Sequence, residues 1–245
     1  MPASGRPDQA ATCCGDGTVE MILIGGLWLD ASAWREVVPV LEGLGHRARA
    51  LSLRGQGDGA ASAGLEDQLA DVVAAVDAAA SPVMVVGHSV AATLAWMAAD
   101  ARPDRVARVV MIGGFPSGDG AAYFDSLPVT GDQLKFPGWV AFGGPDAADL
   151  SPAQRAAIEA EMVPVPAAVV GATVHFRDQR RFEVPVTVVC PEFSAAQARS
   201  WVDDGEVPEL ARGRSVDYVD INSGHWPMFS RPADLGELLG RIAGG

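Results

Sequence analysis

Cysteine is scarce in this chain, with three in 245 residues. Cys13 and Cys14 are adjacent and Cys190 stands inside a strand-like run, which gives neither a disulfide framework nor the paired spacing of a zinc site. Basic residues are also few. Eighteen Lys and Arg face 31 Asp and Glu, a formal net charge of −13 that repels a phosphate backbone, so nucleic acid is excluded as a partner. No apolar run reaches the roughly 18 to 20 residues of a membrane span; the longest, such as 82–86, are strand-sized. The first seventeen residues, 1–17, lack an apolar core and read as a disordered leader, which makes a cytoplasmic protein the expectation.

What remains is an ordinary globular composition, 49% hydrophobic and 20% charged. At this length folding removes roughly 70–75% of the unfolded chain's surface from water, enough for one domain, 18–245, without metal or disulfide support. Short β-branched runs alternate with longer helical ones, the signature of a mostly parallel, doubly wound α/β sheet flanked by helices on both faces. Strands are expected at 19–25, 48–53, 82–86, 106–112, 184–190 and 215–221. Asp30 is expected to cap a helix running through Trp34, Val37 and Leu41, and further helices at about 65–76, 90–101, 195–202 and 233–242 complete the alternation.

One long segment, 113–183, breaks the rhythm. It holds seven of the seventeen prolines, an amphipathic stretch near 153–162 and several aromatics. It reads as an inserted helical lid over about 116–182. Its Tyr123, Phe124, Phe136, Trp139 and Phe142 are equally suited to lining a substrate pocket and to packing the lid on the core.

The most informative stretch is Gly87-His88-Ser89-Val90-Ala91, which follows a β-branched strand and opens a helix. A serine at such a turn projects its hydroxyl above the sheet edge, where the positive end of the helix stabilises an anion. Ala91 stands where glycine is usual. A serine hydroxyl needs a base to take its proton, and there are four histidines. His46 opens a strand away from the site, His175 lies in the insertion, and His88 adjoins Ser89 on the other side of the turn. His225, in Asn222-Ser223-Gly224-His225-Trp226-Pro227, follows the last strand and is the candidate base.

These motifs in this order resemble the α/β-hydrolase family, in its cofactor-free branch of esterases, lactonases and plant-type methyl esterases. Gly25-Gly26-Leu27-Trp28 is similar to the family's His-Gly-x-Trp oxyanion turn, and Arg54-Gly55-Gln56-Gly57-Asp58 to its Gly-x-Gly loop. The resemblance implies backbone N–H groups of Leu27 and Val90 as an oxyanion hole and puts Trp28 and Trp226 near the chemistry; His88 and Trp139 of the lid are further candidates for the substrate side. It implies no metal and no cofactor, and a small-molecule substrate as partner; the oligomeric state, with a homodimer among the options, stays open. The third triad member departs from the pattern, because the usual acid place holds Ser194. Glu192, two residues nearer the strand, has the extra methylene to reach His225; Asp119 after the earlier strand, or a site without a third member, are the alternatives. The expected activity is hydrolysis of a carboxylic ester or lactone by Ser89, His225 and Glu192. A non-hydrolytic ligand-binding or biosynthetic accessory role is the other reading.

Overall fold

A computed structural model describes residues 17–245, so all but the last residue of the expected leader lies outside the described residues. Eight strands run in chain order: β1 (Glu20–Ile24), β2 (Arg47–Leu51), β3 (Val83–His88), β4 (Val106–Ile112), β5 (Gln133–Leu134), β6 (Val165–Pro166), β7 (Val186–Cys190) and β8 (Val216–Asp220). The helices are α1 (Val38–Gly43), α2 (Leu65–Ala78), α3 (Ala91–Ala101), α4 (Pro152–Glu161), α5 (Ala167–Val170), α6 (Ala195–Asp203), α7 (Pro208–Ala211), α8 (Pro227–Ser230) and α9 (Pro232–Gly244).

Six strands form one parallel sheet in the order β2-β1-β3-β4-β7-β8. Consecutive residues of a strand point to opposite faces, and here both faces are covered. Ile22, Val85, Met111 and Val188 pack toward α2, α3 and α6, while Leu23, Val86, Val110 and Val189 pack toward α1 and α9. All eight are buried, which is why these strands read as continuous apolar runs. The chain leaves β1 for β2 on one side, then crosses to β3 on the other. At that reversal the loops after β1 and β3 diverge and open a crevice at the carboxyl ends of the strands.

Two elements differ from the sequence expectation. The helix expected from Asp30 to Leu41 is broken: Asp30 caps only a single 3₁₀ turn, Ala31–Trp34, its Oδ1 accepting from the Ser32 N–H at 2.8 Å, and α1 restarts at Val38. Pro39 is the cause, since it cannot donate to the carbonyl four residues back and fits only the first turn of a helix. The segment between β4 and β7 is less helical than expected. Ser151 caps α4 and Pro152 starts it, but much of the remainder is irregular chain pinned by the antiparallel β5–β6 pair. No helix among the described residues is long and apolar enough to cross a membrane.

A buried ionic cluster ties this segment to the core. Arg181, 2% exposed, donates to Glu209 at 3.0 Å and to Asp100 at 3.2 Å, and the Trp96 indole N–H donates to the same Glu209 at 3.0 Å. Asp100 also accepts from the N–H groups of Arg177 and Asp178. The cluster thus joins α3, α7 and the 3₁₀ turn Gln179–Glu183. Removing the one cation leaves two buried carboxylates uncompensated, so Arg181→Met is expected to cost about 3–5 kcal/mol of stability. Arg180→Met, at an exposed ion pair, is expected to cost far less. Urea unfolding midpoints of the two variants check the contrast.

Candidate active site

Ser89 occupies the turn between β3 and α3 with φ +55°, in the left-handed region that a side chain rarely adopts. Three contacts hold it there. Its N–H donates to the Ile112 carbonyl at 2.7 Å, its carbonyl accepts from the Ala92 N–H at 3.0 Å, and α3 packs directly behind it. The close approach is made at glycines. A Cβ on Gly87 would fall 2.3 Å from the Ala91 carbonyl oxygen, and one on Gly114 2.4 Å from the Ser89 carbonyl oxygen. Gly87 therefore provides the clearance that the turn needs, and the methyl of Ala91 is simply buried in the core.

His225 lies over the serine, with Nε2 3.0 Å from Ser89 Oγ and Nδ1 2.6 Å from Glu192 Oε1. The three residues come from the ends of β3, β7 and β8. Glu192 reaches because β7 ends at Cys190 and the chain turns at once; Ser194, in the usual acid place, is instead the N-cap of α6, its hydroxyl accepting from the Gln197 N–H at 3.2 Å. Asp119 is elsewhere. It accepts from the Phe176 N–H at 3.0 Å and stands 3.9 Å from the exposed His175.

The main chain of His225 is fixed at both ends. The His225 N–H donates to the Asp146 carbonyl at 2.7 Å, its carbonyl accepts from His88 Nε2 at 2.8 Å, and the neighbouring Gly224 N–H donates to Asp149 Oδ2 at 2.8 Å. His88 is 1% exposed and its ring lies 4.9 Å from that of His225. Burial, helped by the neighbouring His225, pushes its pKa down to about 3, so its ring is neutral and Nε2–H is the donor.

A cavity of about 330 Å³ opens beside Ser89. Leu27, Trp28, Val90, Phe124, Leu127, Phe142 and Trp226 form its apolar walls, with His88, His225 and Asp146 its ionisable members. Neither the Leu27 nor the Val90 backbone N–H donates to an acceptor among the described residues. Trp28, at φ +66°, is held by its indole N–H on the Leu134 carbonyl at 3.1 Å and by edge contacts with Phe136 and Phe142. Trp139 does not line the cavity. Its indole N–H is tied to the Arg155 carbonyl at 3.1 Å and its ring packs behind Trp226, 5.2 Å away. Phe136 likewise stacks behind Phe142, and Tyr123 belongs to a second, more polar cavity of about 270 Å³ that also reaches Ser89. His46 accepts from the Val19 N–H far from the site. Sequence reasoning missed Asp146 and Asp149, which no motif marks.

Residues 21–238 match the Alpha/beta hydrolase family, and the chain belongs to that family. It is similar to Methylesterase 7 of Arabidopsis thaliana, 27% identical over 257 residues, which cover 91% of this chain and 96% of that protein. Among solved structures, an extracellular α/β-hydrolase of a Paenibacillus species superposes with a TM-score of 0.76 at 19% identity, covering 91% of this chain and 98% of that one. Tomato methylketone synthase I gives 0.72 at 16% identity over 92% and 98%. A pyrethroid hydrolase from Sphingobium faniae gives 0.67 at 21% identity over 92% and 97%.

The neutral, buried state of His88 has a pH signature. Its folded-state pKa lies below the ordinary 6.5, so the unfolded chain binds the proton first. The stability it contributes is complete above about pH 6.5 and falls as the pH drops toward 3. Between pH 7 and pH 4.5 wild type is expected to lose about 2 kcal/mol more than His88→Gln, read from urea unfolding at the two pH values.

Proposed function

We propose that the protein is a serine hydrolase that cleaves a carboxylic ester or lactone of a small to medium, largely apolar substrate through an acyl-enzyme. The observation that carries this reading is the hydrogen-bonded chain Ser89–His225–Glu192 at the edge of an apolar cavity. His225 Nε2 takes the proton of Ser89 as Oγ attacks the substrate carbonyl carbon, and Glu192 holds the imidazole with its Nδ1–H facing away from the serine. The oxyanion is stabilised by the free N–H groups of Leu27 and Val90, the latter at the start of α3. His225 then protonates the departing alcohol oxygen, the acyl group stays on Ser89, and a water deprotonated by His225 releases the acid. Trp28, Phe124, Phe142 and Trp226 contact the apolar part of the substrate.

The segment between β4 and β7 acts as a lid, contributing Phe124, Leu127 and Phe142 to the cavity. The names of the similar methylesterase and pyrethroid hydrolase support ester chemistry. The accessory, non-hydrolytic reading drew on the missing acid at 194, and with Glu192 at 2.6 Å from His225 that ground falls away.

Ser89→Ala is expected to abolish turnover of an activated aryl ester and labelling by a fluorophosphonate probe while leaving the fold intact. His225→Ala is expected to lose activity to a similar extent, and the double variant to be little worse than either, since the two act as a unit. Glu192→Gln is expected to lower kcat by a factor between ten and about 10⁴, whereas Asp119→Asn stays near wild type. Near-wild-type turnover by Ser89→Ala rejects the nucleophile, and losses that multiply in the double variant reject the shared role.

A further inference from the structure

The active-site cavity contains one charged group that neither the hydrolytic mechanism nor the fold uses. Asp146 lines it, and its carboxylate takes no hydrogen bond from any other residue among the described residues. Its main-chain carbonyl does hold the His225 N–H, but any residue supplies a carbonyl, so that role does not call for an aspartate. Among the described residues no lysine or arginine lines this cavity, and the only other ionisable members are His88 and His225. The same cavity has aromatic walls, Trp28, Phe124, Phe142 and Trp226.

A carboxylate without a salt-bridge partner in a cavity walled by aromatic rings is suited to an organic cation. The rings present negative faces to a diffuse positive charge, the apolar walls accept its alkyl groups, and the carboxylate supplies the counter-charge. Resting on the reading of Ser89 as an acylating nucleophile, we propose that the preferred substrates are esters bearing an alkylammonium group, held between Asp146 and the aromatic walls. Partial burial raises the Asp146 carboxyl above the usual carboxylate range, with His225 opposing the rise and the nearby Glu192 adding to it. A bound cation relieves that cost. The net charge of −13 favours the approach of such substrates and disfavours anionic ones.

The test compares acetylthiocholine with 3,3-dimethylbutyl thioacetate, which has the same shape with carbon in place of the charged nitrogen. At low ionic strength kcat/KM is expected to be about tenfold higher for the cationic substrate. Asp146→Asn is expected to bring the ratio close to one. Glu42→Gln, an equal charge change on the exposed face of α1, is expected to keep it, which separates the local contact from steering by the whole surface. Tetramethylammonium binding to the Ser89→Ala variant, followed by calorimetry, provides a readout independent of catalysis and is expected to weaken about tenfold with Asp146→Asn. If Ser89-dependent ester hydrolysis occurs with a wild-type ratio near one, or the ratio survives Asp146→Asn, the cation site is overturned and the hydrolase reading stands. If no ester is turned over but tetramethylammonium binding still depends on Asp146, the hydrolase reading fails and the cation site stands.

Discussion

A serine in the left-handed backbone region is about 1–3 kcal/mol dearer than the same residue in a strand or helix, and the surrounding structure must hold it there. At Ser89 the hold is a vise: β4 accepts its N–H through Ile112, α3 abuts it from behind, and the loop after β4 presses on its carbonyl through Gly114. Each jaw is backbone. That is why the apolar strands and the small-residue helix Ala91–Ala101 matter to the site. α3 is buried along almost its whole length, and alanines allow it to lie close to β3 and β4. The strained turn aims the hydroxyl away from the sheet, and the same tight crossing leaves the Val90 N–H without an acceptor.

His225 is held by a different device. The elbow is fixed by packing within the sheet, but the His225 loop is fixed by hydrogen bonds from outside it. Asp146 and Asp149, on the segment between β4 and β7, bond the main chain of His225 and Gly224, and His88 bonds the carbonyl from below. Hence the inserted segment contributes both pocket wall and the setting of the imidazole. The neutral His88 donates its Nε2–H to the carbonyl without adding a charge to the loop.

The sheet and its order of helices were legible because burial on both faces writes itself as unbroken apolar strands, and because capping and glycine positions punctuate them. The helix after Asp30 was overextended since its apolar spacing continues through Pro39, whose missing N–H outweighs the periodicity. The positions of Ser89 and His225 followed from strand-loop-helix context. Glu192 was harder, because Ser194 in the usual acid place turns out to serve a helix cap and only the end of β7 at Cys190 decides the reach. Trp139 looked like a pocket residue by proximity to other aromatics, yet its indole N–H is committed to Arg155 and it stands behind the wall. Asp146 and Asp149 carried no signal at all: they sit in irregular chain whose path is set by tertiary contacts, and isolated aspartates in such a stretch read as surface.

The parallel sheet distributes the site unevenly with respect to its own edges. Ser89 rides on β3, with a strand on each side, whereas His225 follows β8, an edge strand paired only to β7 and half exposed along its length. Edge elements open at lower free energy than central ones. Fraying of β8 carries the imidazole away while the elbow, gripped by β4 and α3, keeps its shape. The contact between Ser89 and His225 therefore joins the centre of the sheet to one of its rims, and a partial opening of that rim parts the two while leaving most of the hydrophobic core intact.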